Sequence, residues 1–329
     1  MITTRSIKSQ REEFMKNVNI LLCLLCLVIC STFFYGLRAL LLTLTSVIAS
    51  EVAAWVSQKL RGKIINLSDL SPIVSGVLFA CLLPASSSYW MVIVGALFSQ
   101  LVILFPFGGK ENCRINEIAA AFCFCAISWS GRIFRYPLPF SKTPYFGDVN
   151  LNLLSTSPAS SLHLGGRPTW SIWEMMLGSV AGAIGTASII ILIASFFFLL
   201  IRKNGSWHMT VATILSFFVL ALIFNRTNTN FFISALYELF SGAVLFAAIF
   251  LVPQSERYLS SKTGEVLFGV SVGFITFLFR YFGGFEESVC FAVLLCSLVS
   301  PFFDNIAPFV DAIIAKLFKK GGLKVEKSN

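Results

Sequence analysis

Apolar stretches, each about as long as a bilayer-spanning helix, alternate along this chain with short polar connections. Ten are legible, near residues 17–36, 38–57, 70–85, 88–106, 114–132, 174–201, 207–224, 230–252, 263–283 and 286–303. An α-helix needs about 20 mostly apolar residues to cross the hydrocarbon core. The stretches lack the strict apolar–polar alternation of a barrel strand, and in lipid only helices and closed barrels satisfy their own backbone. The expected fold class is therefore all-α, a polytopic membrane protein of about ten transmembrane helices. Composition agrees: 56% of residues are hydrophobic, 34 are phenylalanine and 12% are charged, against about 25% charged in a soluble domain. Mean hydropathy is +0.81.

The net charge of +9 would suggest nucleic acid in a soluble protein. Here the basic residues sit at segment ends, so topology signalling and a lipid membrane explain them, and no nucleic-acid partner is expected. Arg5, Lys8, Arg11 and Lys16 precede the first segment; Lys59, Arg61 and Lys63 follow the second; Lys110 and Arg114, Arg202 and Lys203, and Arg257 and Lys262 mark later connections. Lys316, Lys319, Lys320, Lys324 and Lys327 close the chain. By the positive-inside rule these ends are cytoplasmic, both termini included. The uncharged turn at 84–88 and the glutamate-bearing turn at 283–287 face outside, as does the long loop before segment six. The first apolar segment is long and no small-residue cleavage site follows it, so no cleavable signal peptide is expected.

Internal similarity divides the chain. Ser75-Gly76-Val77-Leu78-Phe79-Ala80, then Pro84 and a Gly95-containing helix ending at Phe107-Gly108-Gly109, is echoed later. The echo is Ser241-Gly242-Ala243-Val244-Leu245-Phe246-Ala247, then Pro253 and a Gly269/Gly273 helix ending at Phe282-Gly283-Gly284. With five segments between equivalent points, the copies have opposite orientation, an inverted repeat that places functional elements near the midplane. The expected organisation is a cytoplasmic basic tail (1–16), a first five-helix repeat (17–132), an extracytoplasmic loop (133–173), a second five-helix repeat (174–303) and a cytoplasmic basic tail (304–329). Segment six opens Leu177-Gly178-Ser179-Val180-Ala181-Gly182-Ala183-Ile184-Gly185. Its glycines permit either close helix packing or a break that aims backbone N–H groups at an anion.

Eight of the nine cysteines fall inside apolar segments, where cysteine packs as a small hydrophobe. Cys23-x-x-Cys26 has no second pair to complete a tetrahedral set, so no metal site is expected. Among ionisable residues in or near segments, Glu51 lies well inside segment two and is the ion-coupling candidate, or a structural partner for Arg38. Glu117 and Glu238 lie nearer segment ends, where a side chain reaches water easily.

The long polar interval, about residues 131–173, carries Ser157-Pro158-Ala159-Ser160-Ser161-Leu162. A loop of this length is functional or a linker, and Ser/Pro-rich segments commonly serve only as turns. Nearby are His163, Arg167, Trp129, Trp170 and Trp173. The aromatics suit a stacked ring or an interfacial belt.

Several motifs, taken together in this order, resemble the RnfD/NqrB family. They are Ser71-Pro72-Ile73-Val74-Ser75-Gly76 with Leu83-Pro84, the turn Phe107-Gly108-Gly109-Lys110-Glu111-Asn112 leading to Asn116, and the glycine-rich opening of segment six. Phe282-Gly283-Gly284-Phe285-Glu286-Glu287 with Phe291-Ala292-Val293-Leu294-Leu295, and Pro301-Phe302-Phe303-Asp304, complete the set. The likeness covers the chain from about Val18 onward, and the length favours RnfD. Such proteins are large membrane subunits of ion-translocating electron-transport complexes. The resemblance implies FMN carried through a phosphoester on a loop hydroxyl. Ser160 stands at the acceptor position, with Ser157, Ala159 and Leu162 matching in place; a slip of register would make Ser157 the acceptor. Leu154, Pro158 and Ser161 depart from the family motif. Asn116-Glu117-Ile118 and Leu251-Val252-Pro253 depart from two others.

The resemblance also implies a flavin transferase, partner membrane and peripheral subunits of an Rnf-type complex, and room for a second, non-covalent flavin. Arg167 is a candidate for the flavin phosphate and Trp170 for the ring. No dinucleotide fingerprint or iron–sulfur ligand set is present, so chemistry on NADH or ferredoxin would belong to the partners, and the chain is a translocase subunit rather than a complete enzyme. The expected setting is the bacterial cytoplasmic membrane, and the coupled ion Na⁺ or H⁺. The alternatives are a flavin-free secondary transporter or membrane scaffold of the same ancestry, and a paralogue serving another flavin-based electron-transfer system.

Overall fold

A computed structural model describes residues 2–62, 69–110, 112–163, 165–166, 168–227, 230–283 and 287–320. Lys63, Glu111, Arg167, Gly284, Phe285, Glu286, Lys324 and Lys327 lie outside the described residues.

The chain is an all-helical polytopic membrane protein. Helices α1 (Ile2–Tyr35), α2 (Leu37–Leu60), α3 (Ser71–Leu82), α4 (Tyr89–Leu97, continued by π-helical turns Phe98–Leu104) and α5 (Glu117–Ser128) form the first part. The long loop carries α6 (Ser130–Ile133), strands β1 (Tyr136–Pro137) and β2 (Leu154–Ser155) paired antiparallel, and α7 (Pro158–His163). Then follow α8 (Ile172–Leu177), α9 (Ile189–Ile201), α10 (Trp207–Ile223), α11 (Phe231–Phe240) and α12 (Val244–Phe246). The chain closes with α13 (Lys262–Phe282), α14 (Ser288–Leu298) and α15 (Ser300–Lys320). The basic N-terminal stretch expected as a tail is helical from Ile2 and continuous with the first span.

Among the described residues, three helices are long and apolar enough to cross a bilayer unbroken: Arg11–Tyr35, Leu37–Leu60 and Lys262–Phe282. Two bent pairs and five shorter apolar helices account for the other sequence segments in order. On α1 the exposed residues Leu22, Leu25, Ile29 and Phe33 recur at helical spacing, which lays one continuous apolar face against lipid.

Segments six, eight and ten are not the continuous helices expected from hydropathy. Segment six stops at Gly178, whose left-handed φ of 100° ends α8, and regular helix resumes only at α9. Segment eight bends by 67° between Phe231–Phe240 and Val244–Tyr258, at Ser241-Gly242-Ala243. Segment ten bends by 74° between α14 and α15. Hydropathy registers depth and not continuity, so a broken span and an unbroken one read alike. The freed backbone groups pair with each other: Leu83-Pro84 after α3 meets the break in segment six, with Ile184 N–H donating to the Leu83 carbonyl at 3.0 Å. That pairing lets irregular backbone exist at membrane depth.

Close approach without side chains fastens α10 to α13. A Cβ on Gly273 would lie 1.9 Å from Ser216 Oγ and 2.5 Å from the Thr213 carbonyl; one on Gly269 would lie 2.5 Å from the Met209 carbonyl. Gly269→Val is expected to force these helices apart and cost about 1–3 kcal/mol. Thermal unfolding in detergent measures it, and an unchanged midpoint would refute the contact.

Candidate functional site

The serine motif forms the start of α7. Ser157 is buried and its Oγ accepts from the Ser160 N–H at 3.2 Å, the geometry of a helix N-cap. Ser160 and Ser161 are half-exposed on the first turn, while Ala159 and Leu162 are buried beneath them. The two candidate acceptors therefore differ in kind: Ser157 is occupied holding the turn, and Ser160 is presented outward. Ser157→Ala is expected to cost about 1 kcal/mol through the lost cap, readable as a small drop in thermal midpoint; no drop would remove the capping role.

Beneath α7 lies a void of about 20 Å³, lined by Ser157, Gly182, Thr186, Gly242 and Glu287 among others. It brings the serine motif to the breaks of segments six and eight. Glu287 is buried and accepts from the Ala243 N–H at 2.7 Å. Arg280, also buried, donates to the carbonyls of Glu238 at 2.6 Å and Ser241 at 3.1 Å, and stands 3.6 Å from the Glu238 carboxylate. Gly242 has φ of 64°, and a Cβ there would lie 2.6 Å from Arg280 Nη2. A charged, buried joint thus braces the break of segment eight.

The other candidates scatter. Trp170 is half-buried against Tyr136, Ala181 and Ala183, next to the glycine-rich break. Trp173 and His163 are exposed. Trp129 stands edge-on to Trp90 at 5.0 Å and to Phe124 at 5.7 Å, so it packs among helices. Arg167 lies outside the described residues.

Glu51 is half-buried midway along α2. The suggested pair with Arg38 is corrected by helix geometry: thirteen residues along one helix separate Cα atoms by about 20 Å. Arg38 instead donates to the carbonyls of Ala85 at 2.8 Å, Ser87 at 3.1 Å and Pro144 at 2.8 Å, tying α2 to the loops.

A second charged centre forms at the start of α5, and it overturns the expectation that Glu117 and Glu238 reach water from segment ends. Both are fully buried. Asn116 caps α5 by accepting from the Ala119 N–H and donates to the Leu251 carbonyl. Glu117 follows. Its carboxylate meets Arg257 Nη2 at 2.9 Å and Lys110 Nζ at 3.5 Å, and accepts from Ser75 Oγ at 3.3 Å. Burial pushes the Lys110 ammonium below its ordinary value, with Glu117 pulling the other way. Glu117 and Glu287 share a pattern: each stands at the opening of a helix and reaches the Ser–Gly step of an earlier one, Ser75-Gly76 or the backbone just after Ser241-Gly242. The sequence signal was present, a glutamate eight residues past Gly108-Gly109 and another three past Gly283-Gly284, but hydropathy gives such residues no partner.

Beside Lys110 and Arg257 opens a cavity of about 480 Å³, with Ile249, Phe250 and Leu259 as apolar wall. Both amide atoms of Gln254 and the Asn204 carbonyl oxygen are buried without a hydrogen-bond partner among the described residues, and both residues line this cavity. Its volume is that of a small-molecule pocket, and its lining is mixed, with Glu12, Glu13, Glu256 and Glu265 beside Lys16, Lys110 and Arg257.

Comparison with known proteins matches residues 5–310 to the NQR2, RnfD, RnfE family. Similar proteins include a component of the ion-translocating oxidoreductase complex of Shewanella frigidimarina, 26% identical over 312 residues, covering 86% of this chain and 89% of that one. A component of the Na(+)-translocating ferredoxin:NAD(+) oxidoreductase complex of Acetobacterium woodii is 26% identical over 290 residues, covering 87% and 86%. A component of the ion-translocating oxidoreductase complex of Pseudomonas aeruginosa is 28% identical over 288 residues, covering 83% and 84%. On the strength of the family match along almost its whole length, the chain belongs to the NQR2, RnfD, RnfE family.

Proposed function

We propose that the chain is the flavin-carrying membrane subunit of an Rnf-type, ion-translocating oxidoreductase in a bacterial cytoplasmic membrane. The observation that carries the flavin reading is the half-exposed Ser160 on the first turn of α7, set apart from the buried capping Ser157. A primary hydroxyl in that position is reachable by a flavin transferase and can become the ester oxygen of a covalently held FMN. Such a flavin supplies electron transfer when bound; the protein positions it and excludes competing reactions. Trp170 and the glycine-rich break lie close to this end of the chain's fold, where the ring and phosphate of an attached flavin would need partners.

The cavity beside Lys110 is the candidate place for a second, non-covalent flavin, with Lys16, Lys110 and Arg257 as its cationic side. The unpaired Gln254 carboxamide both donates and accepts, as the imide edge of an isoalloxazine requires, and the Asn204 oxygen offers a further acceptor. Ile249 and Phe250 would pack on the ring. The lysines and arginines at both ends of the chain support a cytoplasmic position for each terminus. Glu51 stays the candidate for coupling to Na⁺ or H⁺.

In-gel fluorescence of the denatured protein, made with its flavin transferase, tests the covalent site. The wild type and Ser157→Ala are expected to fluoresce and Ser160→Ala to be dark. A dark wild type, with the transferase active on another substrate, would overturn covalent attachment. The departures at Leu154, Pro158 and Ser161 favour that second reading, a flavin-free transporter or scaffold subunit of the same ancestry.

A further inference from the structure

The last helix leaves the bundle in a direction that a spanning helix would not take. It turns 74° from α14. Its inner face grips the start of α13: Asp304 accepts from the Ser260 N–H at 2.9 Å, Asp311 accepts from Thr263 Oγ1 at 2.7 Å, and the Phe303 ring meets Phe268. The two aspartates are about 10 Å apart along α15, yet their partners span only the entry to α13. So α15 crosses the end of α13 instead of running beside it. Because α13 is long and apolar enough to span, that end lies at a bilayer boundary.

The opposite face of α15 is apolar and uncovered. Phe302, Ile306, Phe309 and Ile313 follow the spacing i, i+4, i+7, i+11, and Phe302, Phe309 and Ile313 are 56%, 71% and 58% exposed. Lys316 is exposed one turn later, and the sequence continues with Lys319, Lys320, Lys324 and Lys327. We propose that α15 lies in the plane of the membrane, its apolar stripe seated at the acyl boundary and the exposed Lys316 at anionic phospholipid headgroups. The dense positive charge at the end of the stripe selects an anionic lipid surface over a partner subunit. The assignment holds whichever flavin reading is right.

The test uses the full chain in native membranes, with p-benzoyl-phenylalanine placed singly at positions 309 and 313. Position 270, on the exposed face of α13, is the lipid-facing control, and position 308, exposed and about a third of a turn away from 309, the comparison on another face of α15. After irradiation, purified chain from cells grown on radiolabelled phosphate is expected to carry phospholipid at 309 and 313 as it does at 270, and much less at 308. Mass analysis of the adducts is expected to find anionic lipid enriched, and Lys316→Gln/Lys319→Gln/Lys320→Gln to lower that share at least about fivefold, roughly what one lysine near an anionic surface contributes. Crosslinks to protein, or none, at 309 while 270 is labelled would overturn the assignment. Lipid adducts with an anionic share unchanged by the lysine substitutions would overturn its charge-selective part.

Discussion

Glu117→Ala is expected to destabilise the folded chain by about 3–5 kcal/mol, the usual cost of removing one partner from a buried ion pair. The carboxylate is fully buried and is the shared counter-ion of Arg257 and Lys110. Its loss leaves two cations facing each other without their buried counter-ion, and strips Ser75 of its acceptor. The three groups come from the start of α5, the turn before it and the segment after α12, so the loss is felt across the bundle. A large fall in thermal midpoint in detergent is the readout, against an exposed control such as Glu13→Ala. Glu117→Ala combined with Arg257→Ala should cost less than the sum of the single changes, since neighbours in one network couple. Additive costs would show that the pair does not act as a unit.

Gly178→Ala is expected to be as severe. A Cβ there would lie 1.4 Å from the Ala187 carbonyl oxygen, and the residue holds φ of 100°. Two penalties combine: a left-handed conformation costs an ordinary residue about 1–2 kcal/mol, and overpacking adds about 1–3 kcal/mol. No side chain can swing aside, because the obstacle is backbone. The break between α8 and α9 must then reopen, and with it the strand-like pairing to Leu83-Pro84. Yield and thermal midpoint should fall sharply. Gly131→Ala, with open space around its Cβ position, should behave as wild type. Equal behaviour of the two variants would mean that segment six does not break at Gly178.

Fold class was legible because it depends on a quantity that sequence carries directly, the length of uninterrupted apolar runs. Continuity was not. Ser241-Gly242-Ala243 reads as ordinary small-residue helix, and only the braced Arg280 and Glu287 reveal why the backbone turns there. For segment six both readings of its glycines were open, and both features are present: φ of 100° at Gly178 ends α8, and Gly185 lets the chain pack directly on Phe246 and Cys81. The serine motif was found by likeness, but which hydroxyl faces outward is a matter of α7's first turn. Glu51 drew attention by its depth in a span; Glu117 and Glu238 hold the buried partners, because charge burial is arranged between distant segments and leaves no local pattern.

Helix α5 is only 12 residues long, about 18 Å, in a hydrocarbon layer about 30 Å thick. Its first residue adjoins the cavity beside Lys110, and its far end leads into the long loop. Were that cavity hydrated, the insulating layer along this path would thin to little more than the helix itself. The membrane voltage would then drop over about 18 Å, and the local electric field would be roughly 1.7 times as steep as across an unindented bilayer. A cation travelling this route would collect the full voltage, about 2.3 kcal/mol per 100 mV, in a short stroke. Were an ion to move along this path, the shortness of α5 would set the electrical distance it crosses.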